Sequence, residues 1–215
     1  MVRYDPGKLI TLEGGEGSGK STQAEILATR LARAGRRILA TREPGGSPGA
    51  EAIRDALLQG EVWRYGPFAE ALLFSIARKD HIDYSIAKAV TDGRWVVCDR
   101  FMDSTRAYQG EMGGVKPEIL HALERVTMGE FTPDLTLILD IPAEQGLARA
   151  HARREESEEP DRFEREEVRM HDRIRQAFLD IAEEEPERCV VIDASQSEAT
   201  VSEDIWEAVS ERLGP

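Results

Sequence analysis

Cysteine is scarce in this chain. Its 215 residues include two, Cys98 and Cys189, which form no C-x-x-C pair and no metal-ligand spacing. That argues against a disulfide framework and against a thiolate metal site. Each lies inside an apolar run, WVVC or CVVI, and reads as a buried thiol in a strand, which suits a reducing compartment. Long apolar runs are missing as well. No stretch approaches the ~18 apolar residues of a membrane span. The opening MVRYDPGKLITLEGG lacks the apolar core of a signal peptide. A cytoplasmic protein with no membrane partner is expected. Positive charge is in deficit, with 28 Lys and Arg against 41 Asp and Glu and a net charge of −13. A general nucleic-acid binder would be basic, so none is expected. A small anionic ligand stays open if cations and backbone N–H groups are concentrated locally.

What is present is a regular alternation. Short apolar runs at Leu9–Glu13, Arg37–Thr41, Trp95–Asp99, Leu135–Asp140 and Cys189–Asp193 show no clean in-out pattern, as expected of strands covered on both faces. Between them, Lys20–Ala34, Ala50–Leu58, Pro67–Val90, Pro117–Val126, Glu164–Glu184 and Ser197–Leu213 space apolar residues by three and four. Pro67 and Pro117 stand where a first helical turn tolerates proline. Strand–helix alternation predicts an α/β fold, a five-stranded parallel sheet between helical layers in one domain over 1–215. Ligands of such folds bind beyond the carboxyl ends of the strands. One segment is not core: His151–Arg165, HARREESEEPDRFER, is densely charged with both signs. It reads as a solvated loop or as a mobile lid.

Residues Gly14 to Ser21, GGEGSGKS, satisfy G-x-x-x-x-G-K-[ST], between the strand-like LITLE and the helical STQAEILATRLARA. This is the P-loop of a nucleotide-binding α/β/α protein. Glycines let successive N–H groups turn toward phosphate oxygens, and the helix that follows adds its positive end. Gly14, Gly15, Glu16, Gly17, Ser18, Gly19, Lys20, Ser21 and Thr22 are the residues expected to bind a nucleoside triphosphate, which the resemblance given below implies is ATP. Lys20 would bridge the β- and γ-phosphates, and the Ser21 hydroxyl would hold Mg²⁺.

A P-loop does not say what receives the phosphate. Asp99-Arg100 follows the strand WVVC, where Asp99 can hold Mg²⁺ or its water and Arg100 can fork onto a phosphate. Arg42, in TREPGGSPG, ends another strand. Together Arg42 and Arg100 could anchor a second phosphate group. Phe74, Arg78 and His81 share a helix face, with Phe74 able to stack a base and Arg78 able to donate to it. Taken singly, Phe74 reads equally as core and His81 as structural. Ser104, Thr105, Tyr108 and Gln109 could line a sugar or base edge.

LEGGEGSGKSTQ, TREPGG, LLF–AR–H, DRF–DSTRAYQG, DLTLILDIPAEQGLAR and DRFE occur in this order from about Leu9 to about Ile181. The set resembles bacterial thymidylate kinase. The resemblance implies transfer of the γ-phosphate of ATP to dTMP, with Mg²⁺ as the metal and a homodimer as the assembly. It places Arg42 and Arg100 at the dTMP phosphate, with Glu13 and Asp99 near metal and substrate. Phe74 would stack on thymine, Arg78 and Thr105 would meet its edge, Tyr108 would pack under the deoxyribose, and Gln109 would complete the pocket. Members without a cation inside the P-loop supply catalytic arginines from a lid. Here the P-loop has none, so the lid at about 149–165 should supply one. Arg153 is the first candidate and Arg149 the second, beside Arg154, Arg162 and Arg165. Ala77, Asp80 and Phe101 depart from the residues the family commonly has. A deoxynucleoside kinase, with Glu13 as base toward a 5′-hydroxyl, another monophosphate kinase and a nucleotide-hydrolysing switch protein are the competing readings.

Overall fold

A computed structural model describes residues 7–129, 131–153 and 168–214. Five strands, β1 (Leu9–Glu13), β2 (Ile38–Arg42), β3 (Trp95–Asp99), β4 (Leu135–Asp140) and β5 (Cys189–Asp193), form one parallel sheet in the order β2-β3-β1-β4-β5. The chain leaves β1 toward one edge and leaves β3 toward the other. That reversal opens a crevice above the carboxyl ends of β1 and β3.

The helices are α1 (Lys20–Arg33), α2 (Pro48–Gln59), α3 (Gly66–His81), α4 (Ala87–Thr91), α5 (Met102–Thr105), α6 (Pro117–Met128), α7 (Ala143–Arg153), α8 (Val168–Glu184) and α9 (Glu198–Leu213). The helix expected over Pro67–Val90 is α3 and α4 joined by a π-helical stretch, Ile82–Ile86. A second π stretch, Arg106–Met112, continues α5. Strand β2 begins and ends one residue later than expected, because Ile38 rather than Arg37 pairs with Trp95 of β3.

Alternation along the strands sorts the core into two layers. Ile10, Leu12, Val97, Leu137 and Leu139 face α1 and α9, packing on Leu27, Leu31, Ile205 and Val209. On the other face Leu9, Val96 and Cys98 meet Ile82, Ile86 and Phe101, while Ile138 and Cys189 meet Tyr108, Ile174 and Phe178. Both cysteines are free and buried, as expected. Glu13 follows Leu9 and Thr11 on this second face, which aims its side chain at the α5 layer rather than at α1.

A buried ion-pair network ties that layer down. Both oxygens of Asp103, which is fully buried, accept from Arg188, at 2.7 and 2.8 Å. Arg188 also donates to Thr136 on β4, and Arg106 holds both oxygens of Glu124 on α6. The stretch from Met102 to Met112 is therefore clamped to β4, α6 and the loop before β5. Among the described residues no helix is long and apolar enough to cross a membrane.

Candidate active site

The loop from Gly14 to Gly19 joins β1 to α1. Gly14, Gly17 and Gly19 have positive φ values of 139°, 69° and 90°, a region side chains resist. Gly17 has a second reason to lack a side chain. A β-carbon there would lie 1.8 Å from the carbonyl oxygen of Gly146, and one on Gly146 would lie 2.3 Å from that of Glu16. The phosphate loop thus rests directly on α7, a contact that only paired glycines permit. Lys20 opens α1, and its ammonium donates to the Gly15 carbonyl at 2.7 Å and to Ser18 Oγ at 3.3 Å. Burial, reinforced by the Arg100 cation, lowers its pKa to about 8. An arriving phosphate would oppose both effects.

Ser21 Oγ donates to Asp99 Oδ2 at 2.5 Å. Asp99 Oδ1 is buried, and no group among the described residues donates to it. A hydroxyl beside a carboxylate with a spare oxygen suits a hard, oxygen-liganded cation such as Mg²⁺. The acidic ends of the other strands are engaged elsewhere. Asp140 takes both arms of Arg175 at 2.6 and 2.8 Å, and Asp193 accepts from Ser195.

One cleft brings together Gly17, Gly19, Lys20 and Ser21 with Arg42, Arg100 and Asp99. Arg100 has a φ of 68°, the only non-glycine among the described residues in that region. This turn swings its side chain back over β1. Its Nη2 donates to Glu16 Oε1 at 2.6 Å, and Nη1 reaches Ser104 Oγ and the Gly14 carbonyl at 3.3 and 3.4 Å. The Tyr108 hydroxyl donates to the same Glu16 oxygen at 2.8 Å, and the guanidinium lies 5.3 Å from the Tyr108 ring. Burial disfavours the Glu16 charge, but Arg100 and Lys20 outweigh it and hold the carboxyl at about 2. Glu16, expected with the ATP loop, therefore points across to the second wall of the cleft. Arg42 is half-exposed and pairs with Glu51 at 3.2 Å. The Glu43–Pro44 peptide that follows is cis. Arg54, which the sequence did not single out, donates to the Pro44 carbonyl at 2.7 Å and lines the same cleft.

Glu13 is fully buried and does not line the cleft. Its oxygens accept from the Phe101 amide at 2.7 Å, the Ser104 hydroxyl at 2.6 Å and the Ser104 amide at 3.3 Å. Burial, with Asp103 nearby, raises its pKa to about 7. Glu13 thereby fixes the backbone that carries Arg100 and Ser104.

At the far end of the cleft stand Phe74, Arg78, Thr105, Tyr108 and Gln109. Arg78 is buried. Its Nε donates to Glu43 Oε2 at 2.7 Å, while Nη2 serves the Phe101 carbonyl and Thr105 Oγ1 at 2.9 and 3.1 Å. Nη1 makes none of these bonds. The π stretch sets Tyr108 and Gln109 toward the cleft, where an extra residue per turn re-aims side chains. Gln109 donates to Glu70 at 3.3 Å. His81 joins Thr41 Oγ1 at 2.8 Å to Glu43 Oε1 at 3.0 Å, a structural bridge beneath the site. Asp80 accepts from Ser47 Oγ and the Ala50 amide, at the start of α2. An acidic group there is favoured by the helix end, and Asp80 is not among the residues that line the cleft.

A second cleft opens on the other side of the phosphate loop, with Ser18, Thr22, Gln23, Arg149, Gln196 and Ser197 among its lining. Arg149 does not reach toward Arg100. It donates to the carbonyls of Ala194, Ser195 and Gln196 at 2.7, 3.0 and 3.4 Å. Arg153 closes α7, and the other expected lid arginines, Arg154, Arg162 and Arg165, lie outside the described residues, as does most of the 149–165 segment.

The family model of thymidylate kinase matches residues 12–205. A thymidylate kinase of Bradyrhizobium sp. (strain ORS 278) is 56% identical over 207 residues, spanning 96% of this chain and 91% of the relative. One from Rhodopseudomonas palustris is 57% identical over 209 residues, spanning 96% and 90%. The crystal structure of a thymidylate kinase from Ehrlichia chaffeensis superposes with a TM-score of 0.76 at 29% identity, covering 95% of this chain and all of that one.

Proposed function

Since the chain belongs to the thymidylate kinase family, we propose that it transfers the γ-phosphate of ATP to dTMP, giving dTDP and ADP. The observation that carries this reading is the single cleft that Lys20 lines together with Arg42 and Arg100. Two anion-binding surfaces facing each other suit a donor phosphate and an acceptor phosphate, whereas a hydrolytic switch needs the first alone.

The chemistry asks little covalent work of the protein. The dTMP phosphate is already anionic near neutral pH, so its oxygen can attack phosphorus without a strong base. The chain must align the two phosphates and neutralise the transferring group. Amides of Gly14–Gly19 and Lys20 hold the donor. Arg42 and Arg100 hold the acceptor phosphate, and Arg54 steadies the turn behind Arg42. Ser21 and Asp99 would hold Mg²⁺, which would supply charge neutralisation of the donor phosphates. Phe74 stacks the thymine, and the spare Nη1 of Arg78 with Thr105 and Gln109 meets its edge. Tyr108 packs against the deoxyribose, where a 2′-hydroxyl would crowd its ring. Arg153 brings the lid's charge to the transferring group, while the bonds of Arg149 suit it to shaping the donor's base site.

Several wider features go with this reading. The lid at about 149–165 closes over ATP in a single domain, and the protein works in the cytoplasm. A homodimer is supported by helices α3 and α6, which pack together and carry exposed apolar side chains, among them Phe68, Ile76, Ile119 and Val126. Exposed apolar surface of that kind marks protein contacts.

A deoxynucleoside kinase would need an accessible carboxylate base. Glu13 has a raised pKa, but it is buried and its oxygens hold Phe101 and Ser104, which argues against that role. The test is ADP formation that requires dTMP and yields dTDP. ADP formed at the same rate without dTMP would mark a nucleotide hydrolase instead.

A further inference from the structure

Arg188 lies in the turn between α8 and β5 and does not line the cleft, yet it grips the segment that builds one of its walls. The side chain is buried, and all three guanidinium nitrogens are engaged. Nη1 donates to Asp103 Oδ2 at 2.7 Å and to Thr136 Oγ1 at 2.8 Å, Nη2 to Asp103 Oδ1 at 2.8 Å, and Nε to Glu185 Oε2 at 2.6 Å. Thr136 Oγ1 in turn pairs with Thr11 Oγ1 of β1 at 2.9 Å. Asp103 is thus fixed to β4 and, through Thr136, to β1.

Asp103 belongs to α5, a single turn of four residues. A helix that short has little stability of its own, so its orientation depends on what anchors it. Asp103 is fully buried behind the cleft, whereas Arg100, Ser104 and Thr105, on either side of it in the chain, line the cleft. Glu13 holds the amides of Phe101 and Ser104, and Arg188 holds the same turn by Asp103. None of these bonds reaches α1, where Lys20 and Ser21 stand. The network therefore bears on one side of the cleft and not on the other.

We propose that Arg188 is a positioning residue for the acceptor: by holding both oxygens of Asp103 it sets the turn that presents Arg100, Ser104 and Thr105 to dTMP. The inference rests on the proposed transfer from ATP to dTMP, and it adds a residue remote from the cleft. The shape of the cation matters as well as its charge. A guanidinium meets both oxygens of a carboxylate at once, whereas an ammonium is a point charge. Without Arg188, Asp103 is a buried carboxylate that has lost its bidentate partner, and Arg106 at 3.4 Å does not replace it. The turn must then shift to bring that charge to water.

The test measures KM for dTMP, KM for ATP, kcat and the folding midpoint in the wild type, Arg188→Met and Arg188→Lys. Arg188→Met should raise KM for dTMP by about tenfold or more, while KM for ATP changes by less than about twofold. Arg188→Lys returns the charge without the fork, so its KM for dTMP should rise by about threefold, between the other two. KM does not depend on the fraction of a preparation that is folded. A role confined to stability would lower the midpoint and the apparent kcat and leave both KM values alone. That result, or an equal rise in both KM values, overturns the assignment of Arg188 alone. If Arg188→Met does not fold, Arg188→Lys decides on the same split, and failure of both to fold makes the network a requirement of folding and overturns the assignment too. A wild type that forms no dTDP would overturn the phosphotransfer reading and this inference with it.

Discussion

Glu16 and Arg100 meet across the cleft, Nη2 of the arginine 2.6 Å from Oε1 of the glutamate, and the Tyr108 hydroxyl donates to that same oxygen. One carboxylate of the phosphate loop thus orients the arginine and the phenol of the opposite wall. Charge-assisted bonds of this kind hold geometry more firmly than neutral ones. Glu16→Gln keeps the shape and removes the charge. It should lower kcat by about ten- to a hundredfold, the equivalent of roughly 1.5–3 kcal/mol, with little change in folding midpoint. Steady-state kinetics at saturating ATP checks this. Unchanged kcat would show that the pair does not persist when substrate is bound.

Glu13 makes stability depend on pH. Its carboxyl has an ordinary value of 4.5 and is raised to about 7 by burial, with Asp103 adding to the effect. Between those values the folded chain keeps a proton that the unfolded chain has released. This contribution to stability is complete below about 4.5, declines as pH rises and levels off above about 7. Glu13→Gln mimics the protonated form, so the variant should gain on the wild type across that window. Denaturation midpoints for both chains from pH 4.5 to pH 8 measure the difference, and parallel curves would contradict it.

Tyr108 has two separable functions. Its ring is buried, edge-on to Phe178 at 6.4 Å, and its hydroxyl serves Glu16. Tyr108→Phe should lower kcat while keeping the preference for a 2′-deoxy sugar. Tyr108→Ala should relax that preference and also cost about 3–5 kcal/mol through the cavity it leaves. Comparing dTMP with its ribo counterpart in both variants separates the two effects.

Arg149 and Arg153 should behave differently. Arg149 is committed to the carbonyls of residues 194–196. Arg149→Ala should therefore raise KM for ATP several-fold more than it lowers kcat. Arg153→Ala should lower kcat by about 10³-fold or more with little effect on dTMP binding. If the two variants show the same pattern, the division between them is wrong.

Much of this was legible in the sequence because it is written locally. Four of five strands carry the expected bounds, since a short apolar run between turn residues has few other places to go. The P-loop announces itself through spacing. Helix α7 and the Met102–Met112 stretch are less legible. DSTRAYQGEM has no apolar period, and its helical form depends on Arg188 and Glu124, which are distant in the chain. Arg54 looks like any other arginine on a half-exposed helix until the turn at Pro44 folds against it. Glu16 sits among ATP-loop residues, but the left-handed turn at Arg100 draws it to the other wall. Gly146 could have been noticed as a glycine inside a helical pattern, and the close approach of Gly17 gives its reason.

The most direct measurement is a panel of thymidine, dTMP, dUMP and dCMP, each with Mg-ATP, read as kcat/KM for the phosphorylated product. The roles proposed for Arg42 and Arg100 call for an acceptor that already carries a phosphate, and those proposed for Phe74, Arg78 and Thr105 call for a thymine. dTMP should lead the panel, with thymidine giving no dTMP. Turnover of thymidine above that of dTMP, or ADP release indifferent to every acceptor, would contradict the account.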